Sequence, residues 1–237
     1  MPKTSRTLTW ISGVMCGFKA VGVFSVTKVP NVFLRHCIVE KQQKKGSIKM
    51  AMINLVRHGQ AAAGFGAHAD PGLDDLGRAQ ANEVARMLHQ QNQKNQQPHP
   101  KVFSSPLARA QETATPLAQL WQTQVRLEAR VAEIPSPTPE LAARAAWLRE
   151  AMRGTWSALA EPALAWRAAL LECLVNQQED CIMFSHFVAI NAAVGAAQGD
   201  DRMHVFSPDN ASVTTLDNQD GQLRVVHLGV VADTHIN

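Results

Sequence analysis

The chain has 237 residues, 46% of them hydrophobic and 18% charged, enough apolar material to bury a sizeable core and too much for a wholly disordered chain. Its net charge of +3 is divided unevenly: residues 1–49 carry nine lysines and arginines against one acid, Glu40, and residues 50–237 carry 14 against 19. The basic excess belongs to the leader, so a general nucleic-acid surface on the acidic body is not favoured, because affinity for a phosphate backbone needs clustered cations.

In chain order the leader comes first. Residues 7–18 are uncharged and moderately apolar and follow Lys3 and Arg6, which sketches a secretory signal, but Lys19 follows at once and no small-x-small cleavage site appears. The acid-poor composition also suits a transit peptide, with only Arg6 and Arg35 as arginines. The reading adopted is an extension outside the fold, or a start placed too far upstream with Met50 or Met52 as the working start, leaving residues 50–237 as one cytoplasmic domain. No uncharged apolar run reaches the roughly 18 residues of a membrane-spanning helix. Cys16, Cys37, Cys173 and Cys181 form no CxxC pair, which argues against a zinc ribbon or a thioredoxin-type site and leaves a reducing compartment as the default.

The body alternates strands and helices. Ile53–Arg57 is a short apolar run ending in charge, a buried strand. Asp74 caps a helix from about Asp75 to Gln91, with Leu76, Gln80, Val84 and Leu88 recurring at one face beside Ala81 and Ala85. His89–Pro100 reads as a polar surface loop, Lys101–Ser104 as a strand, and Leu107–Trp121 as a helix disturbed locally by Pro116. Gln124–Leu127 is a short third strand, after which Pro135, Pro137 and Pro139 force an extended loop. Helical stretches near Pro139–Arg153 and Pro162–Asn176 precede a buried strand, Cys181–Ser185, and a helix, Val188–Ala197. Ser212–Asp217 and Leu223–Leu228 close the chain as a β pair. This alternation predicts an α/β fold with a mainly parallel sheet covered on both faces.

Ligands of such sheets bind beyond the carboxyl ends of the strands. Those positions hold Arg57-His58-Gly59, the run from Ser104 to Arg109, Arg130 with Glu133, and Ser185-His186. Guanidinium forks match phosphate oxygens bidentately, a neutral imidazole can attack phosphorus, and a glycine such as Gly59 leaves room for backbone to approach an anion. A nearby carboxylate can protonate a leaving oxygen and later take a proton from water. The set suits phosphoryl transfer, which needs mostly positioning and charge stabilisation.

Leu55-Val-Arg-His-Gly59 resembles the signature of the histidine phosphatase superfamily, the phosphoglycerate mutase-like fold. Leu73 to Ala81 resembles that family's first helix entry, and Ser104 to Ala114 (SSPLARAQETA) its second-arginine segment. Ser185-His186 is similar to its second-histidine site, and Asn210 to Thr214 to its late strand. The likeness covers roughly residues 52–230 and leaves the leader outside. It implies a three-layer αβα sandwich and a histidine acid phosphatase-type phosphomonoesterase of the phosphatase branch, metal-independent and without a cofactor. The expected substrate is a small phosphorylated molecule, with no nucleic-acid or membrane partner. By the same resemblance His58 is the nucleophile, Arg57, Arg109 and His186 hold the phosphoryl oxygens, Gly59 and Gln60 belong to the substrate-binding set, and Glu133 is the proton donor. Glu128 competes with Glu133 for that last role, Glu140 more weakly, and a surface pair between Glu133 and Arg130 is the bland alternative.

The sequence also departs from the family pattern. Ala61-Ala62-Ala63 stand where a small hydroxyl residue is usual, no Asn lies between residues 60 and 70, and Phe187 follows the second histidine where glycine is frequent. No large insertion separates Glu133 from His186, although the 139–176 helices suffice for a small substrate-selecting cap. The remaining histidines lack metal-ligand spacing, and GxxxxGK[ST] and GxSxG are absent. Ser104 and Ser105 have no better role than shaping the turn before Arg109. Trp147, Trp156 and Trp166 read as packing, and Cys173 and Cys181 as buried and inert. A phosphotransferase or mutase of the same fold and a non-catalytic phosphate-recognition module remain the competing readings.

Overall fold

A computed structural model describes residues 50–64 and 67–232, so the readings of the leader lie outside the described residues. The chain order is β1 (Met52–Arg57), α1 (Asp75–Asn95), β2 (Lys101–Ser104), α2 (Ala108–Leu120), β3 (Arg126–Leu127), α3 (Leu141–Ala151), α4 (Glu161–Val175), β4 (Cys181–Ser185), α5 (Phe187–Gln198), β5 (Val213–Asp217) and β6 (Arg224–His227). The strands form one sheet in the order β3-β2-β4-β1-β5-β6. Four are parallel, and β5 and β6 add an antiparallel margin.

Strand alternation divides the apolar side chains between two cores. Ile53, Leu55, Cys181 and Met183 join α4 and α5 on one side, and Val56, Val102, Ile182 and Phe184 join α1 and α2 on the other. The result is the expected three-layer αβα arrangement. β4 is buried along its whole length, which explains why its sequence is continuously apolar up to Ser185. Trp156 is fully buried and stacks on Trp166 at 6.0 Å, and Trp147 packs against the same core, so the tryptophans serve packing. Burial pushes the thiol pKa of Cys173 up to about 11, which keeps it protonated and unreactive. Among the described residues no helix is long and apolar enough to cross a membrane.

The register aligns the functional strand ends. Arg57 lies opposite Ser185, and Ser104 opposite Phe184, so β1, β2 and β4 finish at one edge. Sheet-type hydrogen bonding continues one residue further, from His58 N to Ser185 O (3.0 Å) and from Ser105 N to Phe184 O (2.9 Å).

Several elements differ from the sequence reading. α1 runs to Asn95 and stops at Gln96 in the left-handed conformation, because the start of the Gln-rich segment read as loop is a solvated helical turn in which glutamine is a good helix former. Leu76 is 53% exposed, and the buried face of α1 is Gly77, Ala81, Val84, Ala85 and Leu88. α2 matches the helix read over 107–121 and runs through Pro116 to Leu120. β3 is only two residues long.

The entry of α1 depends on two glycines. Asp74 caps the helix by accepting from Gly77 N at 2.7 Å. A Cβ on Gly77 would meet the Gln60 carbonyl oxygen at 2.0 Å, and one on Gly59 would meet the Gly77 oxygen at 2.6 Å. The space at Gly59, read from sequence as room for an anion, is therefore filled by the backbone of α1. Gly77→Ala is expected to destabilise the fold by about 1–3 kcal/mol through overpacking, although alanine is the better helix former by about 1 kcal/mol. A urea midpoint equal to or above that of the wild type would refute this close contact.

Candidate active site

His58 follows β1 at the shared strand edge. Its Nδ1 lies 2.7 Å from the Gly59 carbonyl oxygen, which only accepts, so Nδ1 carries the proton. Its Nε2 accepts from Arg109 Nε at 3.1 Å, and a guanidinium only donates. Both partners thus demand the same tautomer, with the lone pair on Nε2. Burial, then the charge of Arg109, lower the His58 pKa to about 3; the Gly59 carbonyl opposes them, and Arg57 adds a smaller lowering. The imidazole is accordingly neutral, as a nucleophile must be.

Arg109 stands in the first turn of α2 and is 5% exposed. Its Nη1 lies 3.8 Å from Asp70, whose carboxylate also accepts from Ala108 N at 2.9 Å. Thr113, one turn on, donates to the Arg109 carbonyl at 2.6 Å and accepts from Gly59 N at 3.0 Å, which locks the helix to the loop after β1. Arg57 donates from Nη1 to the Pro208 carbonyl at 2.8 Å and lies 5.1 Å over the ring of Phe187. The residue that departs from the family pattern thus seats one of the two arginines. Burial is the main influence on both guanidinium groups and lowers their pKa values, with the charge of Glu133 opposing it in each case. Arg144 on α3 adds positive charge that acts on Arg109.

His186, between β4 and α5, is fully buried, and its ring centroid lies 5.2 Å from that of His58 at an interplanar angle of 56°. Its Nε2 is 2.8 Å from Ser105 Oγ. Burial first, then His58, Arg109 and Arg57, hold its pKa well below the usual histidine range.

The three candidate carboxylates separate cleanly. Glu133 accepts from Ile134 N at 3.0 Å and from Val188 N, in the first turn of α5, at 3.4 Å. Burial raises its pKa, and these amides together with Arg109 and Arg57 partly offset the rise. Glu128 is gripped by Arg130 at 2.8 and 2.6 Å, which lowers its pKa, so Arg130 pairs with Glu128 and not with Glu133. Glu140 is exposed and hydrogen-bonded to Thr138.

Arg57, His58, Arg109, Glu133 and His186 are thus brought into one electrostatic cluster. Gln60 is not: its side-chain amide donates to Asp74 at 2.9 Å and its backbone N to Gln80 at 2.8 Å, which ties it to the entry of α1 at the surface. Sequence reasoning missed Ser105, Thr113 and Asp70. Ser105 occupies the position after β2 that His58 and His186 occupy after β1 and β4, so the strand-end rule already marked it. Asp70 and Thr113 carried no such signal. Among the described residues no group of three or more His, Cys, Asp or Glu side chains is placed to hold a metal ion.

The chain resembles known proteins over this same region. The family model of the histidine phosphatase superfamily (branch 1) matches residues 53–231. Comparison with curated proteins finds no match. A mycobacterial glucosyl-3-phosphoglycerate phosphatase is 21% identical with a TM-score of 0.56, over 79% of this chain and 100% of that one. A putative alpha-ribazole-5'-P phosphatase from Escherichia coli is 19% identical with a TM-score of 0.58, over 78% and 99%. A phosphoserine phosphatase from Entamoeba histolytica, solved with phosphoserine, is 22% identical with a TM-score of 0.57, over 75% and 96%. At these identities the solved structures establish the shared fold, and the family match places the sequence.

Proposed function

The chain belongs to the histidine phosphatase superfamily, and we propose that it is a metal-independent phosphomonoester hydrolase that works through a phosphohistidine on His58. The observation that carries the reading is the fixed tautomer of His58, whose lone pair sits on Nε2 beside Arg109 while Gly59 holds Nδ1–H.

In the first step Nε2 attacks phosphorus as the bond to the ester oxygen breaks. Arg109 Nε leaves the lone pair and turns its N–H to a phosphoryl oxygen. Glu133, in its carboxylic acid form, gives its proton to the departing oxygen, and the alcohol leaves. In the second step water attacks the phosphorus, Glu133 takes its proton, and the N–P bond breaks to return neutral His58 and free phosphate. Two guanidinium groups beside the reacting atoms counter the charge spread over the phosphoryl oxygens. The burial that raises the pKa of Glu133 favours the protonated form that the first step needs.

The test is phosphate release by the full chain, with EDTA present, from a panel that includes phosphoserine, glucosyl-3-phosphoglycerate and α-ribazole-5'-phosphate. Release that survives EDTA supports the reading, and its ranking names the preferred small phosphorylated substrate. Transfer of the phosphoryl group to a sugar acceptor in preference to water would overturn hydrolysis in favour of a mutase.

A further inference from the structure

We propose that Ser105 is a positioning residue that fixes the tautomer of His186, so that His186 presents Nδ1–H to the oxygens of the transferred phosphoryl group. The inference rests on the phosphoryl-transfer reading above and adds to it a residue that sequence reasoning left with no role beyond a turn.

Both side chains are completely buried. Ser105 Oγ lies 2.8 Å from His186 Nε2 and also accepts from Leu107 N at 3.2 Å. A hydroxyl has one proton to give. With Leu107 N–H already on one lone pair, that proton is best used on Nε2, which then acts as acceptor. The neutral ring must in that case carry its hydrogen on Nδ1. His186 Nδ1 is buried and has no hydrogen-bond partner among the described residues.

The opposite tautomer would leave two groups wrongly prepared. The hydroxyl hydrogen would lack this acceptor, and Nδ1, which has no partner among the described residues, would offer a bound anion a lone pair in place of a donor. Protonation offers no easy escape, because burial and the neighbouring His58, Arg109 and Arg57 oppose a charge on His186. With Nε2 occupied by serine, Nδ1 is the nitrogen left to meet a ligand, and an anionic oxygen requires a donor there.

The two histidines, 5.2 Å apart, therefore hold opposite tautomers for opposite tasks. Gly59 takes the Nδ1 proton of His58 and frees Nε2 as the nucleophile. Ser105 gives a proton to Nε2 of His186 and leaves Nδ1–H as the donor.

The experiment uses the full chain with 15N-labelled histidine and orthovanadate as the probe of the phosphoryl site. The His186 signals are assigned by their loss in His186→Gln. The wild type is expected to show His186 protonated on Nδ1. Ser105→Ala is expected to lose that preference and to bind vanadate about 10- to 100-fold more weakly at neutral pH, the loss expected of one hydrogen bond to a charged group. The tautomer itself is the readout that a merely structural defect would not move, because only loss of the Ser105 hydroxyl frees Nε2 to carry the hydrogen. Ser105→Thr keeps the hydroxyl and is expected to restore the wild-type tautomer. A wild-type His186 protonated on Nε2, or unchanged vanadate affinity in a folded Ser105→Ala, would overturn the proposal. A tautomer set by Ser105 and tight vanadate binding in a protein that releases no phosphate would support it while refuting the hydrolase reading.

Discussion

His58→Ala is expected to lower phosphate release by about 10⁴-fold or more on every substrate, because in the proposed mechanism it removes the atom that forms the N–P bond and no second group inherits that position. His186, the other imidazole in the cluster, is fully buried with its Nε2 engaged by Ser105. The variant is also expected to fold, since among the described residues the His58 ring bonds to its neighbour Gly59 and to Arg109. Its stability should respond differently to acid. The His58 pKa falls from 6.5 to about 3 in the folded protein. Between those values the unfolded chain takes up a proton that the folded chain refuses. Stability is therefore lost as pH falls from about 6.5 toward 3, by about 1.4 kcal/mol per pH unit for each such histidine. His186 acts in the same direction. Removing His58 should leave a shallower acid loss, read as the difference between urea midpoints at pH 7 and pH 5. Turnover above about one per cent of wild type would place the nucleophile elsewhere.

Much of this site was legible because parallel α/β sheets put their ligands at one edge. The strands Lys101–Ser104 and Cys181–Ser185 stand where the apolar runs placed them, and the pairing of Arg57 with Ser185 makes their ends neighbours. Charge and residue type then marked Arg57, His58, Arg109 and His186 together with Arg130 and Glu133, and the resemblance to the histidine phosphatase superfamily left Arg130 out. The orientation of side chains was not legible. Gln60 and Glu128 have the right chemistry beside the right strands, yet each is taken by a local partner, Asp74 in one case and Arg130 in the other. Such pairings follow from loop geometry a few residues long, which periodicity does not encode. The extent of α1 escaped for a different reason: a Gln/Asn-rich segment without apolar period looks like loop, whereas the four residues beyond Gln91 stay helical on a solvated face as far as Asn95. Thr113 was hidden because a small hydroxyl in mid-helix carries almost no signal by type, and Ser105, although it stands at a strand end, was passed over because its type alone did not set it apart from a turn residue.

Glu133→Gln separates the two chemical steps. The substitution keeps the shape of the side chain and removes the transferable proton. For alkyl phosphates, whose departing oxygen is strongly basic, kcat/KM is expected to fall by about 10²–10⁴-fold. For p-nitrophenyl phosphate, whose phenolate leaves unaided, kcat/KM should fall far less. The second step still needs a base for water, so the variant should accumulate phosphoenzyme and release a burst of about one equivalent of p-nitrophenol before slow turnover. The pH dependence has a definite sign. His58 stays neutral above about 3, so its protonation does not limit the rate at ordinary pH. The pKa of Glu133 is raised by burial, and the acid form persists above the usual carboxylate range. Wild-type kcat/KM on alkyl phosphates should then decline as pH rises through that raised pKa, and the decline should vanish in Glu133→Gln. Glu128→Gln should leave both the leaving-group dependence and the pH limb unchanged, because Arg130 already holds that carboxylate in its ionised form. Equal slowing of good and poor leaving groups in Glu133→Gln would remove Glu133 as the proton donor. A leaving-group effect that followed Glu128 instead would mean that the Arg130 pair opens when substrate binds.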